Sequence, residues 1–120
     1  MTDRDALADW VGRYRKAWDS NDPEDIGALF SADAEYRGMP GAVPVRGREA
    51  IVADWLDRRD EPGDHEFSWE PVAVDGDVAV VQGRTLYRGA PDWDNLWVLR
   101  LEPDGTASSF TEWAIEPTAS

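Results

Sequence analysis

The apolar residues of "TDRDALADWVGRYRKAWDSN" fall on Leu7, Trp10, Val11, Tyr14, Ala17 and Trp18. That i, i+3, i+4, i+7 spacing places them on one stripe of an amphipathic helix. Thr2 with Asp5 predicts its start, in the manner of a capping box with Asp replacing the usual Glu or Gln. "DPED" predicts a second start, with Asp22 as N-cap, Pro23 at the first helical position and two acids where the helix dipole favours negative charge. This short helix carries Ile26, Leu29 and Phe30 before "SADAEYRG" turns extended. Beyond the Pro/Gly stretch "GAVPV", "GREAIVADWLDRR" reads as a third helix with Ile51 and Trp55 on one face, and "DEPGDH" ends it.

From there the period changes to two. "EFSWEPVAV" and "DVAVVQGRTLYR" read as strands joined at Asp75-Gly76, a dipeptide that two-residue hairpins prefer. "WDNLWVLRLE" alternates Trp93, Asn95, Trp97, Leu99 and Leu101, and "PDGT" turns it into the last strand, "ASSFTEWAIE". Helices first and an antiparallel meander last predict an α+β architecture: three N-terminal helices packed on one face of a curved, mostly antiparallel sheet. The strand between the helices is expected at the sheet edge. A sheet curving over helices encloses a cavity, the kind of place where small ligands sit.

Composition narrows the classes. One domain over residues 1–120 is expected from the length, with 42% hydrophobic residues and seven tryptophans to fill a core. The absence of cysteine removes disulfides and thiolate chemistry. A net charge of −13, from 25 acids against 12 bases, opposes nucleic-acid binding. The basic clusters "RYRK" and Arg58-Arg59 read as solvated helix faces. The longest apolar run, "VAVV", is too short for a membrane span, and "MTDRDALADW" lacks a secretion-signal layout, so the expected address is cytoplasmic. One histidine without a second at ligand spacing gives no metal signature, and no phosphate loop, dinucleotide fingerprint or serine elbow suggests a cofactor.

In order, "AW..ND", "IGALFSADAEY", the Pro/Gly loop and "VRGREAI", followed by four strands, resemble the nuclear transport factor 2-like (cystatin-like) superfamily. Within it the match is to SnoaL-like, polyketide-cyclase-like domains, over roughly Asp5 to Pro117. The resemblance implies a cone-shaped fold around a pocket, and a homodimer. It leaves the reaction open, because this fold hosts isomerases, dehydratases, hydrolases, cyclases and non-enzymes. Ketosteroid isomerases of the fold place a tyrosine where Tyr14 stands. Their carboxylate base falls on Gly38 and their second donor on Trp97, so that chemistry is not expected. Limonene-epoxide hydrolases share the turn that "YRGMP" resembles. By that resemblance Tyr36 matches a water-binding tyrosine, Gly38 replaces an asparagine and Arg84 matches an arginine. Leu86 replaces the proton donor, and Glu112 takes the place of the water-activating aspartate.

The candidates therefore form two groups. Glu112, Arg84 and Tyr36 are the catalytic ones, with Glu112 as base and Arg84 orienting it if both face the cavity. The alternative for that pair is an ordinary cross-strand ion pair. Tyr14, Trp18, Met39, Trp55, Trp97 and Phe110 are the ligand-binding ones, against core packing as the alternative. His65 reads as a loop histidine beside acids or a pocket-rim residue, and Asp33 as a turn residue. The expected function is binding of a small, mostly apolar organic molecule, with cofactor-independent acid/base chemistry such as hydrolysis, isomerisation, dehydration or cyclisation. The competing expectation is a non-catalytic domain for ligand binding, dimerisation or docking, its cavity filled by tryptophans.

Overall fold

The structure is a computed structural model that describes residues 3–57, 65–87 and 92–115. Helix α1 spans Arg4–Ser20, α2 Pro23–Gly27 and α3 Arg48–Asp57. Strands follow as β1 (Phe30–Arg37), β2 (Val45–Arg46), β3 (His65–Asp75), β4 (Val78–Tyr87), β5 (Trp93–Leu101) and β6 (Ala107–Ile115). They form one sheet in the order β2-β1-β6-β5-β4-β3. Every pairing is antiparallel except β1 with β6.

The predicted α1 stripe is the buried one: Leu7, Trp10, Val11 and Ala17 are fully enclosed and Tyr14 nearly so. Asp3, rather than Thr2, caps the helix, its carboxylate accepting from the Ala6 amide at 2.8 Å; Thr2 lies outside the described residues. Asp22 caps α2 as predicted, accepting from the Glu24 amide at 2.8 Å. Phe30 belongs to β1, not to α2. The strand between the helices lies inside the sheet, because the short "VR" strand, β2, adds a further edge beyond it.

The β3–β4 hairpin differs from expectation by one residue. Asp75 pairs with Val78, so the two-residue loop is Gly76-Asp77, with Gly76 at φ +62. Positive φ at the first loop position alone suits glycine there, which explains the shift from Asp75-Gly76. The "DEPGDH" break and Arg58-Arg59 lie outside the described residues, except for His65, which opens β3. Asp33 is an exposed residue of β1 rather than of a turn.

Strand alternation sorts the meander into two faces. Facing the helices are Phe67 on β3, Ala79, Val81 and Thr85 on β4, Asn95, Trp97 and Leu99 on β5, and Phe110 on β6. Gly83 shares that face, and a Cβ there would come within 2.7 Å of the Phe67 ring. A glycine in mid-strand marks such a close approach, and here it lets Phe67 stack on Trp97 with centroids 5.0 Å apart. Trp10 closes the core from α1, its indole N–H donating to the Leu29 carbonyl at 3.0 Å.

Candidate functional site

The inner face changes character along its length. Toward one end lie Leu99, Leu101 and Ala107, all buried against the helices. At the other end, where β4 and β6 finish and β5 begins, inward positions are polar: Thr85, Asn95 and Glu112. A cavity of about 290 Å³ opens there. Tyr14 and Trp18 of α1, and Asp54 and Trp55 of α3, line it from the helix side. Tyr36 and Gly38, at the end of β1, line it beside Glu112 of β6, and Tyr87 and Trp93 line it from β4 and β5.

A continuous hydrogen-bonded chain holds Glu112. The Thr85 hydroxyl donates to Asn95 Oδ1 at 2.7 Å, and Asn95 Nδ2 donates to Glu112 Oε2 at 3.1 Å. Trp97 Nε1 donates to the same oxygen at 2.7 Å. The polarity of the chain follows from chemistry. An ionised carboxylate only accepts, so the Asn95 amide turns its NH₂ toward Glu112 and leaves its carbonyl for the Thr85 hydroxyl. Thr85 and Asn95 are 1% and 8% exposed, so each needs its partner.

Trp97 ties this chain to the core. Its ring is enclosed by Tyr14, Phe67, Phe110 and Trp10, with centroid separations of 4.5, 5.0, 5.3 and 6.3 Å. Only the indole N–H is spent on the site. Phe110 acts similarly for the phenols, stacking on Tyr36 at 4.9 Å and on Tyr14 at 5.8 Å. Tyr14 and Tyr36 are hydrogen-bonded to each other. Burial, followed by the negative charges of Tyr36 and Glu112, pushes the Tyr14 phenol well above its ordinary value of 10.0. Tyr14 is therefore a neutral phenol over the physiological range and available as a hydrogen-bond donor.

The structure brings together five of the predicted residues: Tyr14, Trp18, Tyr36, Trp55 and Glu112 all line the cavity. Arg84 does not join them. It extends from the opposite face of β4, 56% exposed, and its Nε donates to Asp94 at 3.0 Å. Expecting it beside Glu112 put it on the wrong strand parity. Met39 is 63% exposed and lies outside the lining, and Phe110 is fully buried beneath the tyrosines. Trp97 is likewise core except for its N–H. His65 stacks on Trp18 at 3.8 Å, behind the wall rather than in it.

Asp54, Thr85, Tyr87, Trp93 and Asn95 line the cavity without having been singled out as site residues. Helical spacing could have found Asp54, which lies three residues from Ile51 and adjacent to Trp55. Strand alternation could have found Asn95, between Trp93 and Trp97 on one face. Among the described residues, no three His, Cys, Asp or Glu side chains are grouped to hold a metal.

A layer of helices on one six-stranded mixed sheet, with a polar-floored cavity at one end, is the architecture of the nuclear transport factor 2-like proteins. The model of the SnoaL-like domain matches residues 11–115, and the chain belongs to that family. Among curated proteins, none matches this sequence. Solved structures share its fold. A nuclear transport factor 2-like protein of unknown function from Burkholderia xenovorans superposes with a TM-score of 0.76 at 13% identity, over 97% of this chain and 88% of the other. One from Mesorhizobium loti, also of unknown function, gives 0.69 at 18% identity over 96% of each chain. A ketosteroid isomerase-like protein from Erwinia carotovora gives 0.66 at 19% identity, over 93% of this chain and 95% of the other. At these identities the likeness is one of fold. No helix among the described residues is long and apolar enough to cross a membrane.

Proposed function

We propose that the chain acts as a single SnoaL-like domain, a cone of sheet and helices whose pocket binds a small, mostly apolar organic molecule. Glu112 is the base in this reading. The observation that carries it is the carboxylate fixed by Asn95 and Trp97 at an aromatic-walled cavity. Two donors on one oxygen fix the carboxylate's orientation, as a general base requires. Tyr14 and Tyr36 stand beside it as phenols able to stabilise negative charge developing on a substrate oxygen. The chemistry is cofactor-independent proton transfer, leading to isomerisation, dehydration, hydrolysis or cyclisation. The domain works in the cytoplasm, as a homodimer.

The test begins with thermal shifts against apolar carbonyls, epoxides and polycyclic aromatics, followed by turnover assays on the compounds that stabilise the fold. Glu112→Gln should keep the fold and the ligand-induced shift while abolishing turnover. Unchanged turnover in that variant removes Glu112 from the reaction.

A second reading is non-catalytic, with the outer sheet face as a docking surface for a second copy. It is favoured by the neighbouring outward rows of Val80, Val98, Leu96 and Trp113, with Ile115 largely exposed at the rim. Sedimentation velocity separates the parts: a chain that stays monomeric at high micromolar concentration has no such interface.

A further inference from the structure

The side chains around the cavity share one electrostatic sign. Six are aromatic: Tyr14, Trp18, Tyr36, Trp55, Tyr87 and Trp93. Two are carboxylates, Asp54 on α3 and Glu112 on β6, so negative charge enters from both the helix side and the sheet side. Among the described residues that line it, no lysine, arginine or histidine is present. The faces of aromatic rings carry negative quadrupole potential and attract cations.

Guests of different charge fare differently in such a cavity. An anion meets two carboxylates without a lining cation to balance it. A neutral hydrocarbon gains contact with the rings but strips water from Asp54 and Glu112 and returns nothing to them. An ammonium group satisfies both demands, facing the rings and compensating the carboxylates. We propose that the cavity selects an organic cation: a compact apolar or aryl body bearing a substituted ammonium. This names the ligand class of the pocket described above and rests on that pocket being a binding site.

Three further features agree with it. A cavity of about 290 Å³ lies at the small end of ligand pockets, which run from about 300 to 1,000 Å³, and suits a compact guest. Glu112 is among the causes that hold the Tyr14 phenol neutral, so the field inside the cavity already disfavours added negative charge. The net charge of −13 draws cations toward the protein from a distance, most strongly at low salt.

Matched probes test the assignment. The whole chain is titrated with phenyltrimethylammonium, with its neutral isostere tert-butylbenzene and with benzoate, following the fluorescence of the tryptophans at the wall. The cation should bind at least tenfold more tightly than the isostere, and benzoate should not bind at millimolar concentration. Asp54→Asn, a partly exposed helix position, should weaken the cation severalfold and leave the isostere unchanged; Glu112→Gln should act in the same direction. Circular dichroism confirms that both variants are folded. An isostere as tight as the cation overturns the charge selectivity but leaves the pocket reading standing. Loss of binding by all three probes overturns both. A cation preference that survives both substitutions removes the carboxylates from the assignment.

Discussion

Arg84 and Thr85 are adjacent in sequence and lie on opposite faces of β4; Asp94 and Asn95 repeat the arrangement on β5. Outside, Arg84 and Asp94 form a fully charged pair at 3.0 Å, with side chains 56% and 49% exposed. Inside, Thr85 and Asn95 form a neutral bond at 2.7 Å that is almost wholly buried. Formal charge would rank the outer pair first, but environment reverses the order. Water screens the outer pair, and two side chains lose rotamer freedom to make it. The inner groups gave up water to reach their places, so losing a partner leaves an unsatisfied buried dipole. The inner bond also leads onward to Glu112, whereas the outer pair spans only neighbouring strands.

The largest break in this contrast should come at Trp97, which joins the inner chain to the core. Trp97→Ala opens a cavity among Tyr14, Phe67, Phe110 and Trp10 and should destabilise the fold by about 3–5 kcal/mol in denaturant titrations. Trp97→Phe keeps most of the ring contact and removes the donor to Glu112, so it should lose far less stability. Equal losses in the two variants would mean that the indole N–H, and not packing, is the main contribution. Asn95→Leu comes next. It leaves the Thr85 hydroxyl and Glu112 each short of a bond and should destabilise by about 1–3 kcal/mol. Adding Thr85→Val to Asn95→Leu should recover part of that loss, because it removes one orphaned group.

The same contrast explains what the sequence disclosed. Periodicity located the helices and the meander, because burying one stripe or one alternating face governs both. It did not reveal β2, whose two residues carry no period, or the hairpin shift, which depended on glycine taking positive φ. In the site, Tyr14, Trp18, Tyr36, Trp55 and Glu112 were legible, as large or charged residues on recognisable stretches. Thr85 and Asn95 were not, since an uncharged polar residue in a strand looks like ordinary surface until its neighbours are known. Arg84 was misplaced for the complementary reason. Its charge suggested chemistry, and a single step of strand parity put it in water.

Tyr14 offers a finer probe of the buried side, read through pH. Its phenol titrates well above 10.0 in the folded chain because burial and nearby negative charge disfavour the phenolate. Below about pH 10 the group is protonated in both folded and unfolded chains and adds no pH dependence. Above it the unfolded phenol loses its proton first, so the unfolded state binds fewer protons and stability falls by at most about 1.4 kcal/mol per pH unit. Tyr14→Phe should remove that component. The comparison is between pH 9 and pH 11 in urea, where the wild-type chain should lose more stability than the variant. Parallel losses would place the Tyr14 hydroxyl in water rather than in the buried pair with Tyr36.

Arg84→Ala should have the smallest effect and completes the contrast from the outside. With both side chains about half exposed, the pair with Asp94 contributes roughly 0–1 kcal/mol, and salt should reduce even that. Asp94 returns to water when its partner is removed, so no buried charge is stranded and no penalty follows. Ligand binding should be unchanged, because the arginine and the cavity lie on opposite faces of β4. A loss above about 2 kcal/mol, or weakened binding of any cavity ligand, would show that the sheet transmits strain between its faces. In that case Arg84 would act on Thr85 through the shared backbone of adjacent residues, the remaining route from the outer pair to the inner chain.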